Sequence, residues 1–96
     1  MGAAYMIIGV DLHDEANFGP YAEQVPAMMA KYGGEVLVAN EEFDVIEGNY
    51  SRRRAVILKF PSVEQARAFY DSDEYAPMID LRKQCSDGDL VLVEGL

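Results

Sequence analysis

The chain has few of the residues that would give it a disulfide framework or a metal centre. Of its 96 residues one is cysteine, one is histidine and none is tryptophan. The single cysteine, Cys85, cannot form a disulfide within the chain and fits a reducing compartment. The single histidine lies in Asp-x-His-Asp-Glu, Asp11–Glu15. Adjacent residues point in different directions, so a surface-loop histidine is a better interpretation than a metal or haem ligand. We expect no metal and no cofactor.

Basic residues are also scarce. Eight Lys and Arg stand against seventeen Asp and Glu, which gives a net charge of −9. This balance argues against nucleic acid and against an anionic membrane surface, because both need a basic face. The apolar run Ala3–Val10 lacks a basic flank and is too short to be a signal peptide or to span a bilayer. We therefore expect one cytoplasmic domain over residues 1–96.

Hydrophobic periodicity predicts four strands and two helices, the second of them broken. The first strand is apolar on both faces, which indicates that both are covered. Asn40–Glu42 interrupts the second strand, and the following segment is read as an extension or a short separate strand. Asp87–Asp89 reads as a turn before the last strand. The predicted strands are Tyr5–Leu12, Glu35–Ala39 with Phe43–Glu47, Arg54–Phe60 and Leu90–Glu94.

The clearest local structure lies between Arg52 and Glu74. Val56, Leu58 and Phe60 alternate on one face of a strand, which Pro61 ends. Ser62 and Gln65 form a capping box that starts the next helix. That helix breaks at Asp71–Asp73. A second piece from Glu74 to Cys85 carries one stripe, made of Tyr75, Met78, Ile79 and Arg82.

The order strand–helix–strand–strand–helix–strand is typical of the ferredoxin-like α+β fold. Its helices cover one face of an antiparallel sheet, and no element remains for the other face. Apolar side chains are predicted on that second face too, and a large exposed apolar patch is rare on a monomer. We therefore expect a homodimer packed sheet to sheet with two-fold symmetry. The predicted face contains Ile7, Leu37, Ile57 and either Leu90 with Leu92 or Val91 with Val93.

Four segments carry a recognisable pattern: Lys31–Gly34, Glu47-Gly48, Val56–Tyr75 and Asp89–Leu96. The most specific part is the spacing F-P-S-x-E-x-A-x-x-[WF]-Y-x-S-x-E-Y from Phe60 to Tyr75. Together these segments resemble the domain-of-unknown-function family 1330. The resemblance implies a dimeric α+β barrel but no agreed activity. The wider superfamily includes small monooxygenases, haem-degrading enzymes, muconolactone isomerases and uncharacterised stress-related proteins.

Two positions depart from that family's pattern. Phe69 stands where members often have Trp. Ala39–Glu42 stands where members often have an Arg followed by glycines, so any anion site that this Arg serves in relatives would be missing here.

Arg82 is the most suggestive candidate for a site, because its guanidinium starts on an apolar helical stripe. A buried Arg requires a carboxylate or a ligand anion. The first possibility is a structural pair with Glu47, Asp11 or another acid, and the second is an anchor for a ligand carboxylate or enolate.

Tyr70 and Tyr75 flank the break at Asp71–Glu74. They could line a pocket and donate hydroxyl hydrogen bonds, although aromatic residues at helical spacing are more often core. The run Arg52–Arg54 could bind an anion, or could be a solvated strand start that neutralises hairpin acids. Those acids are Glu41, Glu42, Asp44 and Glu47. Alternation makes Arg54 the candidate on the helix side.

Cys85 is predicted to be a small buried hydrophobe, since no base lies beside it in the sequence. No phosphate loop, dinucleotide fingerprint, zinc motif or nucleophile elbow is present.

Three hypotheses remain open. The first is a dimeric domain that binds a small carboxylate or aromatic ligand between helices and sheet, through Arg82, Tyr75, Tyr70 and Arg54. The second is a cofactor-independent isomerase or monooxygenase that stabilises an enolate-like intermediate. The third is a structural interaction module. Dimerisation has better support than any ligand, which places the first and third hypotheses above the second.

Overall fold

The computed structural model describes residues 2–96, which form an α+β sandwich. Three helices cover one face of a four-stranded antiparallel sheet of order β2-β3-β1-β4. This is the predicted ferredoxin-like arrangement, with a second helix broken in two. The elements are β1 Ala4–Leu12, α1 Glu15–Ala30, β2 Glu35–Asn40, β3 Arg54–Phe60, α2 Val63–Tyr70, α3 Ala76–Cys85 and β4 Ser86–Glu94. No helix of the described chain is both long and apolar enough to cross a membrane.

The helix boundaries follow the capping residues. Asp14 accepts a hydrogen bond from the backbone N–H of Asn17 at 3.2 Å and begins α1. Ser62 accepts one from the backbone N–H of Gln65 at 3.1 Å and begins α2, as the capping box predicts. Gly33, at φ +77°, provides the left-handed residue after α1. The side chain of Ser72 bonds the Phe69 carbonyl at 2.8 Å in the break between α2 and α3.

The core lies between the helices and the inner face of the sheet. Its members alternate along β1 and β3, and they meet an aromatic cluster that α2 and α3 contribute. Phe69 is at the centre of that cluster, with ring centroids 4.3 Å from Tyr75 and 5.5 Å from Phe60. The buried core residues are Ala4, Met6, Val25, Met29, Leu58, Phe60, Ala66, Phe69 and Tyr75.

The outer sheet face carries the exposed apolar side chains. Ile7 is paired with both Ile57 and Val91, in the middle of the sheet. Ile7 is 46% exposed and Val91 55% exposed, whereas Leu90 and Leu92 pack against the core. Of the two predicted sets in the last strand, the outer one is therefore Val91 with Val93. Leu37, at a register shift between Val36 and Val38, is also half exposed.

Two local predictions were wrong. Asp87–Asp89 is not a turn, because α3 ends at Cys85 and β4 begins at Ser86 without a connection. Gly88 pairs with Val10 inside the long β1–β4 ladder. A nine-residue ladder outweighs the turn preference of an Asp-Gly-Asp sequence. Phe43–Glu47 is not a strand but part of the connection between β2 and β3.

Position 88 in β4 favours glycine because the backbone of the neighbouring strand approaches it closely. A Cβ atom there would lie 2.5 Å from the carbonyl oxygen of Gly9. We expect Gly88→Ala to lower the free energy of unfolding by about 1–3 kcal/mol, because backbone must shift to admit the methyl group. Urea denaturation measures this difference.

Gly19 in α1 provides the matched control, since a Cβ there would meet nothing within 4 Å apart from its chain neighbours. Gly19→Ala should change the free energy of unfolding by less than about 1 kcal/mol, because the better helix propensity of Ala is offset by contact of its Cβ with the ring of Pro20. If Gly19→Ala costs as much as Gly88→Ala, close strand approach does not explain Gly88.

Candidate functional site

A cavity of about 440 Å³ lies between the sheet and the helices α1 and α3. Most of its wall is apolar and comes from the inner face of the sheet, from one side of α1 and from Phe69. No Asp, Glu, Lys or His is among the lining residues that the structure describes. The side chains with polar atoms that line it are Tyr21, Arg54, Tyr75, Arg82 and Ser86.

Tyr21 and Tyr75 form a hydroxyl pair inside this cavity. Their oxygens are 2.6 Å apart, and either hydroxyl can donate. Whichever donates, the other keeps a hydrogen that can be offered to a ligand. Phe18 stacks on Tyr21 with a centroid distance of 4.8 Å, while Phe69 holds Tyr75 from the other side. The aromatic contacts therefore fix the positions of both hydroxyls.

Both hydroxyls are neutral at physiological pH. Burial, reinforced by the neighbouring Tyr75, raises the pKa of Tyr21 far above its usual range. Burial also raises the pKa of Tyr75, although the hydrogen bond with Tyr21 and the charge of Arg82 oppose that rise. In the neutral form the pair can donate one hydrogen bond to a ligand.

Arg82 projects from the last turn of α3 towards the tyrosines. Its Nε atom is fully buried and has no hydrogen-bond partner within residues 2–96. The proposed structural pairs are not formed: Asp11 binds Arg52, and no ion pair between Arg82 and a carboxylate occurs in the described chain. A buried guanidinium nitrogen without a partner is costly. Arg82 as a whole is partly exposed and lines the cavity, so an anion or carbonyl oxygen there can reach this side chain.

Arg54 reaches the same cavity from the first residue of β3. The alternation in the sequence placed it correctly on the helix side. Its neighbour Arg52 lies elsewhere, 3.1 Å from Asp11 and 3.2 Å from Asp89. The backbone N–H of Arg53 and the side chain of Arg52 hold the pKa of Asp11 below its usual range. The acids that neutralise the arginine run are therefore in β1 and β4, not in the hairpin as we expected.

Tyr70 is not among the residues that line this cavity. It lies at a second hollow of about 210 Å³, with Met6, Arg67, Leu90 and Leu92. Its ring meets Tyr75 edge-on, at a centroid distance of 5.9 Å. In this position the ring of Tyr70 packs against Tyr75. A direct contact between Tyr70 and a ligand remains a prediction.

The remaining candidates lie outside the cavity. The side chain of His13 is half exposed, with Nε2 3.7 Å from a carboxylate oxygen of Asp87. Cys85 is buried, and burial raises the pKa of its thiol. No group of three or more His, Cys, Asp or Glu that could hold a metal ion occurs within residues 2–96.

Sequence reasoning missed two cavity residues. The three- and four-residue spacing of apolar residues in the first helix predicts only an apolar stripe that includes Tyr21. The pairing of Tyr21 with Tyr75 depends on how α1 packs against α3. Ser86 appeared in no prediction, although its hydroxyl donates to the Arg82 carbonyl at 2.6 Å. The sequence signal for Tyr21 was that it, Tyr70 and Tyr75 belong to helical segments on the same side of the predicted sheet.

The comparisons with known proteins agree with the fold. The family model described as "Domain of unknown function (DUF1330)" matches residues 3–96. No curated protein sequence matches the chain.

Solved structures with the same fold are distant in sequence. A protein of unknown function from Rhodopseudomonas palustris has a TM-score of 0.78 at 17% identity, over 99% of this chain and 83% of that one. A cofactor-independent oxygenase from Streptomyces nogalater has a TM-score of 0.68 at 10% identity, over 100% and 95%. A dimeric protein of unknown function from Bacteroides fragilis, with a ferredoxin-like fold, has a TM-score of 0.57 at 13% identity, over 99% and 98%.

Proposed function

The chain belongs to the DUF1330 family, and on that premise we propose that it is a homodimeric domain that binds a small organic ligand of carboxylate or aromatic type. The ligand occupies the cavity between the helices and the sheet. The observation that carries the proposal is an apolar cavity in which the buried Nε of Arg82 has no partner within residues 2–96.

The size of the cavity supports a ligand. Protein interiors are close-packed, and voids larger than one water molecule are few. A cavity of about 440 Å³ lies within the range of roughly 300–1,000 Å³ that is usual for small-molecule sites. Such sites combine an apolar wall with a few converging polar groups, as Tyr21, Tyr75 and Arg82 do here.

The outer sheet face supports the homodimer. It presents half-exposed apolar side chains on β1, β2 and β4, namely Ile7, Leu37, Val91 and Val93. A second copy of the same face would remove them from water, and a two-fold axis makes such a surface self-complementary. The relative from Bacteroides fragilis is described as dimeric.

Replacing Arg82 with methionine tests the binding site. Methionine keeps an apolar side chain of similar length but removes the unpartnered guanidinium. We expect Arg82→Met to raise the free energy of unfolding of the ligand-free protein by about 1–2 kcal/mol, since the cost of a buried unpaired donor disappears. The same substitution should abolish the stabilisation that aromatic and carboxylic acids give the parent protein in a thermal-shift screen.

Lys83→Met is the matched control, because Lys83 is the next residue and is exposed. It should cost up to about 1 kcal/mol through the helix dipole and leave ligand stabilisation unchanged. If Arg82→Met instead destabilises the protein by several kcal/mol and no ligand stabilises the parent, Arg82 has a structural role and the proposal fails.

A cofactor-independent oxygenase is the second candidate, favoured by the described activity of the relative from Streptomyces nogalater. The cavity lining offers donors but no carboxylate, histidine or lysine that could remove a proton, as far as the described residues go. An enzyme built on it would need a substrate that ionises by itself near neutral pH, such as a cyclic 1,3-diketone. Oxygen uptake with 1,3-indanedione tests this. Uptake that depends on the protein and falls in Tyr75→Phe would favour the enzyme.

A further inference from the structure

The charges of the chain are distributed unevenly between its surface and its cavity. The chain has seventeen acidic and eight basic residues. The residues described around the cavity include two of the basic ones, Arg54 and Arg82, and none of the acidic ones. A protein with a net charge of −9 thus surrounds a site at which the charged side chains within residues 2–96 are both positive.

The two arginines share one end of the cavity. Arg54 is opposite Val10 in the β1–β3 ladder, and Ser86 is opposite Leu12 in the β1–β4 ladder. The Ser86 hydroxyl bonds the Arg82 carbonyl, which places the last turn of α3 beside the same end of β1. We call this the basic end of the cavity.

The other end of the cavity is apolar. Met6 and Leu58 face each other across the β1–β3 ladder there, near Phe69. The cavity is therefore polarised along β1, with cationic groups towards Leu12 and hydrocarbon and aromatic surface towards Met6.

From this arrangement we infer that the ligand is an organic acid, bound as its carboxylate anion, with the carboxylate at the basic end and an aromatic or alicyclic body along Met6, Leu58 and Phe69. The inference rests on the proposed function and makes its ligand class specific. Arg82 lines the cavity and has no carboxylate partner in the described chain, and arginine binds carboxylates with paired, charge-assisted hydrogen bonds.

The hydroxyl pair completes the recognition of such an acid. Tyr21 and Tyr75 retain one donor hydrogen between them after their own bond at 2.6 Å. A carboxylate has two oxygens and about four lone pairs, enough acceptors for a guanidinium and a hydroxyl. A neutral amide of the same shape has one such oxygen, and it brings an NH₂ group towards cationic donors.

Calorimetric titration with 2-naphthoate and 2-naphthamide distinguishes recognition of the carboxylate charge from recognition of the ring shape that the two compounds share. The carboxylate should bind the parent protein about ten to a hundred times more tightly than the amide, as expected for hydrogen bonds to a charged group. In Arg82→Met the two affinities should become similar. Lys83→Met, which also removes one positive charge, should preserve the preference of the parent.

Each other outcome is informative. Equal or tighter binding of the amide to the parent would overturn the acid inference and leave the proposed function standing. A preference for the carboxylate that survives both Arg82→Met and Arg54→Met would overturn the assignment to the basic end. If no carboxylate–amide pair with one, two or three fused rings binds the parent, the proposed function fails as well. If Arg82→Met does not fold, the carboxylate preference of the parent and its loss or survival in Arg54→Met test the inference instead.

Discussion

A protein in which Phe69 is replaced with alanine should lose about 3–5 kcal/mol of unfolding free energy, a large share of the stability of a domain this size. Phe69 is 1% exposed, and its ring contacts Tyr75, Phe60 and Tyr32. A cavity already lies beside this ring, so fewer side chains are in position to fill the space that the missing ring would leave. The melting temperature should fall on the order of 15–30 °C, measured by calorimetry at constant protein concentration.

Phe43→Ala is the matched control for the loss of a phenylalanine ring. Phe43 is 38% exposed and has one aromatic neighbour, Tyr50, at 5.0 Å. Its removal should cost about 2 kcal/mol or less, because more than a third of its surface is already in water. Similar losses for the two variants would show that Phe69 is not at the centre of the core.

The second large effect concerns the association of two copies. We expect Val91→Glu to give a folded monomer, with a dimer dissociation constant raised at least about a hundredfold. Val91 is 55% exposed and lies beside Ile7 on the outer sheet face. In a two-fold dimer one substitution buries two carboxylates, and each unpaired charge costs several kcal/mol after relaxation. Analytical ultracentrifugation over a concentration series measures the change.

Ala27→Glu adds the same charge to an exposed position of α1, on the opposite side of the molecule from the outer sheet face. This variant should remain dimeric. A parent protein that sediments as a monomer at micromolar concentration would contradict the sheet-to-sheet dimer, and so would dissociation of both variants to the same degree.

The sequence was most informative where local rules and tertiary packing agree. The strand Arg54–Phe60 and the capping box of Ser62 carry both an unambiguous periodicity and a defined end, and the structure confirms them. The stripe of α3 likewise placed Tyr75 and Arg82 on one side of a helix, and both line the cavity. These features are encoded by residues close together in the chain, which is why they could be predicted.

The features that failed depend on contacts between distant segments. Gly88 was read as a turn residue, because its close approach to Gly9 appears only once β1 and β4 pair. Tyr21 had no polar role until α1 was packed against α3. The partner of Arg52 could not be read from the hairpin, since the nearest acids belong to β1 and β4.

The most direct test of the binding site observes the side-chain N–H of Arg82 itself. Its Nε has no partner within the described chain, and a carboxylate bound to the guanidinium would change the electronic surroundings of this N–H. In an NMR spectrum of arginine Nε–H groups, the Arg82 resonance is assigned by its absence from the Arg82→Met variant. Titration with 2-naphthoate should shift that resonance in step with binding, while the resonance of Arg67, on the surface of α2, stays in place. Saturation of the protein with 2-naphthoate while the Arg82 resonance does not move would contradict a ligand site at Arg82.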